Sequence, residues 1–166
     1  MINYLKERDL WWPVRSELLT QYNDGSHTQK DLYGTLIWCQ NDQIHRDGDK
    51  PAWINSYGTL LWYKNGQMHR DDDLPAYISD EGTIQWCKNG QLHRDGDLPA
   101  VIMADDTLEW WKYDQLHRDG DLPAVIMPDG SQQWYKDDHL HRDADLPAII
   151  WADGKQEWYK NGRRYR

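Results

Sequence analysis

The chain of 166 residues contains no phenylalanine, although it holds 11 tryptophans and 10 tyrosines. Every aromatic residue other than histidine therefore carries a polar tip, which suits surfaces that are apolar and wet at once. No apolar run reaches 18 residues, so no membrane-spanning helix is expected, and the opening "MINYLKERDLWW" lacks the apolar centre of a secretion signal. Cysteine is scarce: Cys39 and Cys87 are too few for a disulfide framework and stand where other copies of a repeat carry an aromatic residue. These features predict a soluble protein of a reducing, cytoplasmic compartment. Basic residues are also short, 19 against 28 acidic, for a net charge of −9. That balance argues against nucleic acid or an anionic membrane as partner, since both reward clustered Lys and Arg. The one basic cluster is "NGRRYR" at the C-terminus, and the mean hydropathy of −1.00 implies a thin apolar layer.

What the chain has in abundance is repetition. "HRDGD" begins at His45, His93 and His117, "HRDDD" at His69 and "HRDAD" at His141, all 24 residues apart. Trp38, Trp62, Trp86, Trp110, Trp134 and Trp158 share the period, as do the Pro-Ala pairs from Pro51 to Pro147. A strict period of this size marks a linear array. The reading is an all-β array of six β-hairpin units over residues 33–166, the last one truncated, preceded by a cap or degenerate repeat at 1–32. Within a unit, Asn65-Gly66, Asn89-Gly90 and Asn161-Gly162 are strong two-residue hairpin turns, because both central positions tolerate positive φ. Asn41-Asp42, Tyr113-Asp114 and Asp137-Asp138 occupy the same place with weaker turn chemistry. A second turn follows at "PDG" (128–130) and "ADG" (152–154), with Asp106 in place of glycine.

The Asn65-Gly66 turn sets a pairing map: Lys64 opposes Gln67, Tyr63 opposes Met68 and Trp62 opposes His69. Alternation then puts Trp62 and His69 on one face and Tyr63 and Met68 on the other. At the second turn the same rule places Tyr77 opposite Trp86 and Ile78 on the tyrosine face. Both faces are thus partly apolar, and a flat single sheet would leave one of them wet. The array must curl, be covered or bind something.

His-Arg-Asp also occurs in protein kinases, but the accompanying asparagine and Asp-Phe-Gly are missing, and one catalytic aspartate is not needed five times. The histidines His45, His69, His93, His117 and His141 repeat at about 9.6 Å if each unit adds two strands, too far apart to share one metal ion. They read as a structural column beside the tryptophans. Asp73 and Asp97 read as structural residues accepting backbone N–H bonds at tight corners. Calcium at the Asp-Gly-Asp corners stays open as an alternative. The aromatic columns are packing residues or a partner-binding platform, with Trp86, Trp110 and Trp134 on one face and Trp111 and Tyr135 on the other. Trp158, Tyr159, Arg163, Arg164 and Tyr165 form the terminal edge, where the arginines blunt an open strand or enter a homodimer contact.

The pattern "WYKNGQMHRD…DG" resembles the MORN repeat: an aromatic strand, an Asn-Gly or Asp-Gly turn, a polar residue, His-Gly, then a strand and a second glycine turn. Here His-Arg stands for His-Gly and the period is 24, close to the divergent MORN-type repeats of large DNA viruses and some bacteria. The resemblance covers residues 33–166. It implies an elongated, twisted single-layer sheet of β-hairpins that serves as a scaffold or adaptor, commonly a homodimer, with protein as partner and neither catalysis nor a cofactor. For a viral protein the compartment would be host cytoplasm or the virion. A carbohydrate- or choline-binding repeat module is the alternative, because such modules also use Trp-Tyr hairpins with glycine turns.

Overall fold

The computed structural model describes residues 28–166. These residues are all-β, an array of antiparallel β-hairpins, and the chain divides into two compact units, residues 1–91 and 92–166. The expected cap at 1–32 lies mostly outside the described residues. Its last part does not stand apart from the repeat: Gln29–Lys30 pairs with Leu36–Ile37, one period ahead of the pairing of Trp53–Ile54 with Leu60–Leu61.

Each unit is built from short strand pairs of two kinds. In the first unit the main ladder runs in sequence order through Gln29–Lys30, Leu36–Ile37, Trp53–Ile54, Leu60–Leu61, Tyr77–Ile78 and Ile84–Gln85. In the second unit it runs through Val101–Ile102, Leu108–Glu109, Val125–Ile126, Gln132–Gln133, Ile149–Ile150 and Gln156–Glu157. Between these, every repeat throws out a separate two-stranded hairpin. Tyr63 faces Met68 and Lys64 faces Gln67, as expected from the Asn-Gly turn. The turn residues adopt positive φ at both centres, 51° at Asn65 and 77° at Gly66, and so do the weaker pairs Tyr113-Asp114 and Asp137-Asp138.

Tryptophan is where the chain leaves one pairing system for the other. The Trp62 N–H donates to the Ala76 carbonyl of the main ladder, while the Trp62 carbonyl accepts from His69 N–H of its own small hairpin, at 2.8 and 3.0 Å. Trp38, Trp110 and Trp134 divide their backbone groups in the same way. A two-stranded hairpin of this length is marginal alone. Single backbone bonds tie neighbours together, Gly66 N–H to Ile44 O in the first unit and Asp138 N–H to Leu116 O in the second.

The second turn corrects the pairing map. Tyr77 pairs with Gln85 and Ile78 with Ile84, so Tyr77 does not oppose Trp86. Ser79 N–H bonds to Thr83 O and Gly82 N–H to Ser79 O, which leaves three residues in the loop, with Gly82 at φ 104°. A three-residue loop with a left-handed third position shifts the register by one against a two-residue turn, and a slip of one residue exchanges the faces. Ile78 therefore shares the tryptophan face, and Tyr77 the tyrosine face. The tryptophan face is the core: Leu60, Ile84 and the alanines of Pro-Ala, such as Ala52 and Ala76, are at or near full burial, as are Ile102, Ala100, Ala124 and Ala148 in the second unit.

Candidate functional site

The repeated His-Arg-Asp-x-Asp corner is the most chemically provocative stretch. Its polar groups are engaged within the array. Each histidine presents Nε2 to the carboxylate two residues on, for example His69 to Asp71 at 2.9 Å and His141 to Asp143 at 3.0 Å. Its Nδ1 accepts a backbone N–H twenty residues later, from Asn65 to His45, Asn89 to His69 and Asn161 to His141. These bonds link neighbouring hairpins. The hydrogen bonds from His69, His117 and His141 hold the carboxyls of Asp71, Asp119 and Asp143 below their usual range, with Lys64 and Lys112 adding to the first two. His93 is the exception: its Nδ1 is buried without a hydrogen-bond partner, and Tyr113 stacks on its ring at 4.1 Å.

The arginine is a clamp between repeats. The Arg118 guanidinium lies 3.8 Å from the centre of the Trp110 ring and donates Nε and an Nη to both carboxylate oxygens of Asp97 at 2.7 and 2.9 Å. It also donates to the Pro123 carbonyl at 3.2 Å. Arg70 repeats this with Trp62, Asp49 and Pro75, and Arg142 with Trp134, Asp121 and Pro147. The Asp of each clamp sits at positive φ, 52° to 55° at Asp49, Asp97 and Asp121, following a second left-handed residue. Glycine is natural at that preceding position, while Asp72 and Ala144 tolerate it. The corner carbonyl also accepts the next indole N–H, Asp73 from Trp86 at 2.9 Å and Asp97 from Trp110 at 3.1 Å. These partners differ from the backbone N–H groups expected at the corner: the Asp97 carboxylate accepts from the Arg118 side chain, and the Asp73 and Asp97 carbonyls accept from indoles. Among the described residues no three His, Cys, Asp or Glu side chains gather as a metal ion would need.

The candidate partner-binding aromatics fall into two environments. Trp86, Trp110 and Trp134 are buried, with 3% to 6% exposure. Trp111 and Tyr135 are half-buried on the opposite face of the second unit. There the ladder register lines up one cross-strand row, Val101, Glu109, Val125, Gln133, Ile149 and Glu157. Two residues beyond each acid or amide stands an aromatic that donates back to it: Trp111 Nε1 to Glu109 at 2.7 Å, Tyr135 Oη to Gln133 at 3.2 Å and Tyr159 Oη to Glu157 at 3.1 Å.

The two glutamates of this row differ. Glu157 accepts from Trp151 Nε1 and Tyr159 Oη and pairs with Lys155 at 2.9 Å and Arg164 at 3.4 Å. Lys155 first, then Trp151, Tyr159 and Arg164, pull its carboxyl down to about 2. Glu109 has the single Trp111 bond and no cation among the described residues, and burial pushes its carboxyl up, with Asp105 adding to the effect. Reading the sequence by motif misses Glu109, because its position varies from repeat to repeat; aligning Leu61, Gln85, Glu109, Gln133 and Glu157 brings it out.

The terminal edge is largely satisfied internally. Trp158 Nε1 donates to the Asp145 carbonyl, Tyr165 Oη donates to the Asp145 carboxylate, and Arg164 Nε donates to the Arg166 carbonyl as well as pairing with Glu157. Arg163 and Tyr165 line a hollow of about 730 Å³ with Arg142, Asp145 and Lys160. Neither Cys39 nor Cys87 is in a disulfide, and among the described residues no helix is long and apolar enough to cross a membrane. No protein-family model matches the chain, and a search of curated proteins returns no match.

Proposed function

We propose that the protein is a non-enzymatic binding array of MORN type, a scaffold or adaptor that meets a protein partner through the aromatic face of its second unit. The observation that carries this reading is the split between the two faces. The corner and the tryptophan column use their polar groups internally, copy after copy, which is how a framework behaves. Beside the row from Val101 to Glu157, whose aliphatic members and Glu157 are themselves buried, stand half-buried aromatics with hydrogen-bonding companions, a composition that suits a protein-binding surface. A non-enzymatic role is supported by the same accounting, since His69, His117 and His141 each spend both ring nitrogens on neighbours. Two cysteines held as thiols support a reducing compartment.

Photo-cross-linking tests the face directly. Benzoylphenylalanine in place of Tyr135 should trap one defined polypeptide, a second copy of this chain included, in cells expressing the protein. The same group at the exposed Tyr57 of the first unit should not. Equal adducts at both sites would remove the reading. Light scattering settles the homodimer part: a mass of twice 19.8 kDa supports self-assembly and a clean monomer ends it. Saturable quenching of tryptophan fluorescence by choline or a glycan would instead favour the small-ligand module.

A further inference from the structure

Glu109 is an anomaly that the framework does not explain. Glu157, two repeats on at the same position, is embraced by Lys155 and Arg164. The residues equivalent to that lysine and arginine around Glu109 are Thr107 and Leu116, neither able to balance a charge. Its cross-strand neighbours are the buried Val101 and Val125. The Trp111 indole needs only an acceptor, and the neutral glutamine at Gln133 shows that an amide can fill the position, accepting there from Tyr135. A half-buried carboxylate without a cation costs desolvation that a glutamine would avoid. What the carboxylate adds is a negative charge aimed into an aromatic surface.

The molecule itself shows which cation such a surface suits. At the Arg118 and Arg142 clamps the guanidinium sits 3.8 Å from an indole centre and gives both prongs of its fork to a carboxylate. Guanidinium groups are planar, weakly hydrated and matched to a carboxylate in two-pronged geometry, whereas an ammonium is a more strongly hydrated point charge. Glu109 and Trp111 supply the carboxylate and indole of the same trio on the opposite face, near Tyr135, whose hydroxyl pKa is raised by burial first and by the Glu109 charge second.

We propose that the Glu109–Trp111 pair is the docking point for an arginine side chain of a protein partner. This rests on the reading of the second unit's aromatic face as the binding surface, and it names the chemistry that the partner brings. The arginine would lie over Trp111 or Tyr135 and complete the charge pair that Glu157 already has from its own chain. Such an anchor sits within an apolar surround that excludes water, the setting in which aromatic–arginine contacts dominate an interface.

The test uses the full chain and a defined probe, the peptide acetyl-Ala-Ala-Arg-Ala-Ala-amide, titrated at low salt while the Trp111 indole N–H is followed by NMR. The expected result is a saturable shift of that signal, absent with the peptide carrying Gln in place of Arg and at least fivefold weaker with Lys. Glu109→Gln should weaken binding tenfold or more. Glu81→Gln, the same charge change on an exposed residue of the first unit, should alter it less than twofold. Equal shifts with the Arg and Gln peptides, or equal affinity of wild type and Glu109→Gln, would overturn the proposal. So would choline matching the arginine peptide. If Glu109→Gln leaves the Tyr135 cross-link intact and abundant, the face is right and the arginine is wrong. Loss of both at once, with the variant's fold preserved, supports the proposal.

Discussion

The two units share a backbone plan and a corner, and differ along one row. In the first unit the ladder positions Ile37, Leu61 and Gln85 are opposed by residues that include Trp53 and Tyr77, bulky beside mostly apolar. In the second, Glu109, Gln133 and Glu157 are opposed by Val101, Val125 and Ile149, acids and an amide beside small branched residues. The clamps do not change: Arg70 on Asp49 and Arg118 on Asp97 have nearly the same geometry. Where selection for the fold acts, the copies agree. Where the second unit departs from the first, it exchanges apolar bulk for hydrogen-bonding groups, which the core does not require.

If the clamps are equivalent, Arg70→Ala and Arg118→Ala should cost the same. Each removes an indole stack, a Pro carbonyl bond and a two-pronged carboxylate bond. Allowing for the half-exposed aspartate, the loss is about 2–4 kcal/mol in urea denaturation. A large inequality would mean that the units do not share their framework energetics. A second comparison contrasts the glutamates by pH. Glu157 has a folded pKa of about 2, below its usual 4.5, so its stabilisation is present above pH 4.5 and fades as pH falls toward 2. The stability gap between wild type and Glu157→Gln should therefore close across that acid range. Glu109 has a raised folded pKa, so its charged form costs stability as pH rises above the ordinary carboxylate range. Glu109→Gln should accordingly be more stable than wild type at neutral pH, by up to about 1 kcal/mol, with the gain vanishing in acid.

The smallest effect concerns the imperfect hairpin link at His93. Tyr113 holds φ 52° at a position filled by Asn in four other turns, and its ring covers the unpartnered Nδ1 of His93. Asparagine tolerates this region better than an aromatic residue. Its side chain can also meet the imidazole, as Asn161 meets His141 at 2.8 Å. Tyr113→Asn should raise stability by about 0.5–1 kcal/mol, read as a higher melting temperature. The parallel change Asp137→Asn, where His117 Nδ1 already faces the Asp137 carboxylate at 2.9 Å, should gain less.

Much of the framework was legible because its signals are local. Asn65-Gly66 demands two positive φ values, and a two-residue loop leaves one possible partner for Tyr63. The second turn is one residue longer than its letters suggest. "SDEG" does not announce whether it closes as two residues or three, and the left-handed Gly82 decides it. The face assignment of Tyr77 and Ile78 went with that residue. The tryptophans could be seen to matter, but not that Trp86, Trp110 and Trp134 lie inside while Trp111 and Tyr135 remain half-open, since adjacent aromatics look alike in a string of letters.

By itself the sequence determined the period, the hairpin as the repeated element and the strong turns, because backbone dihedral preference acts between neighbours in the chain. Only the tertiary structure decided what the repeated polar residues do. Arg118 reaches Asp97 across 21 residues, and Asn89 N–H reaches His69 across 20. Those bonds exist only once successive repeats lie side by side, and the same stacking leaves Glu109 among valines with no cation beside it among the described residues.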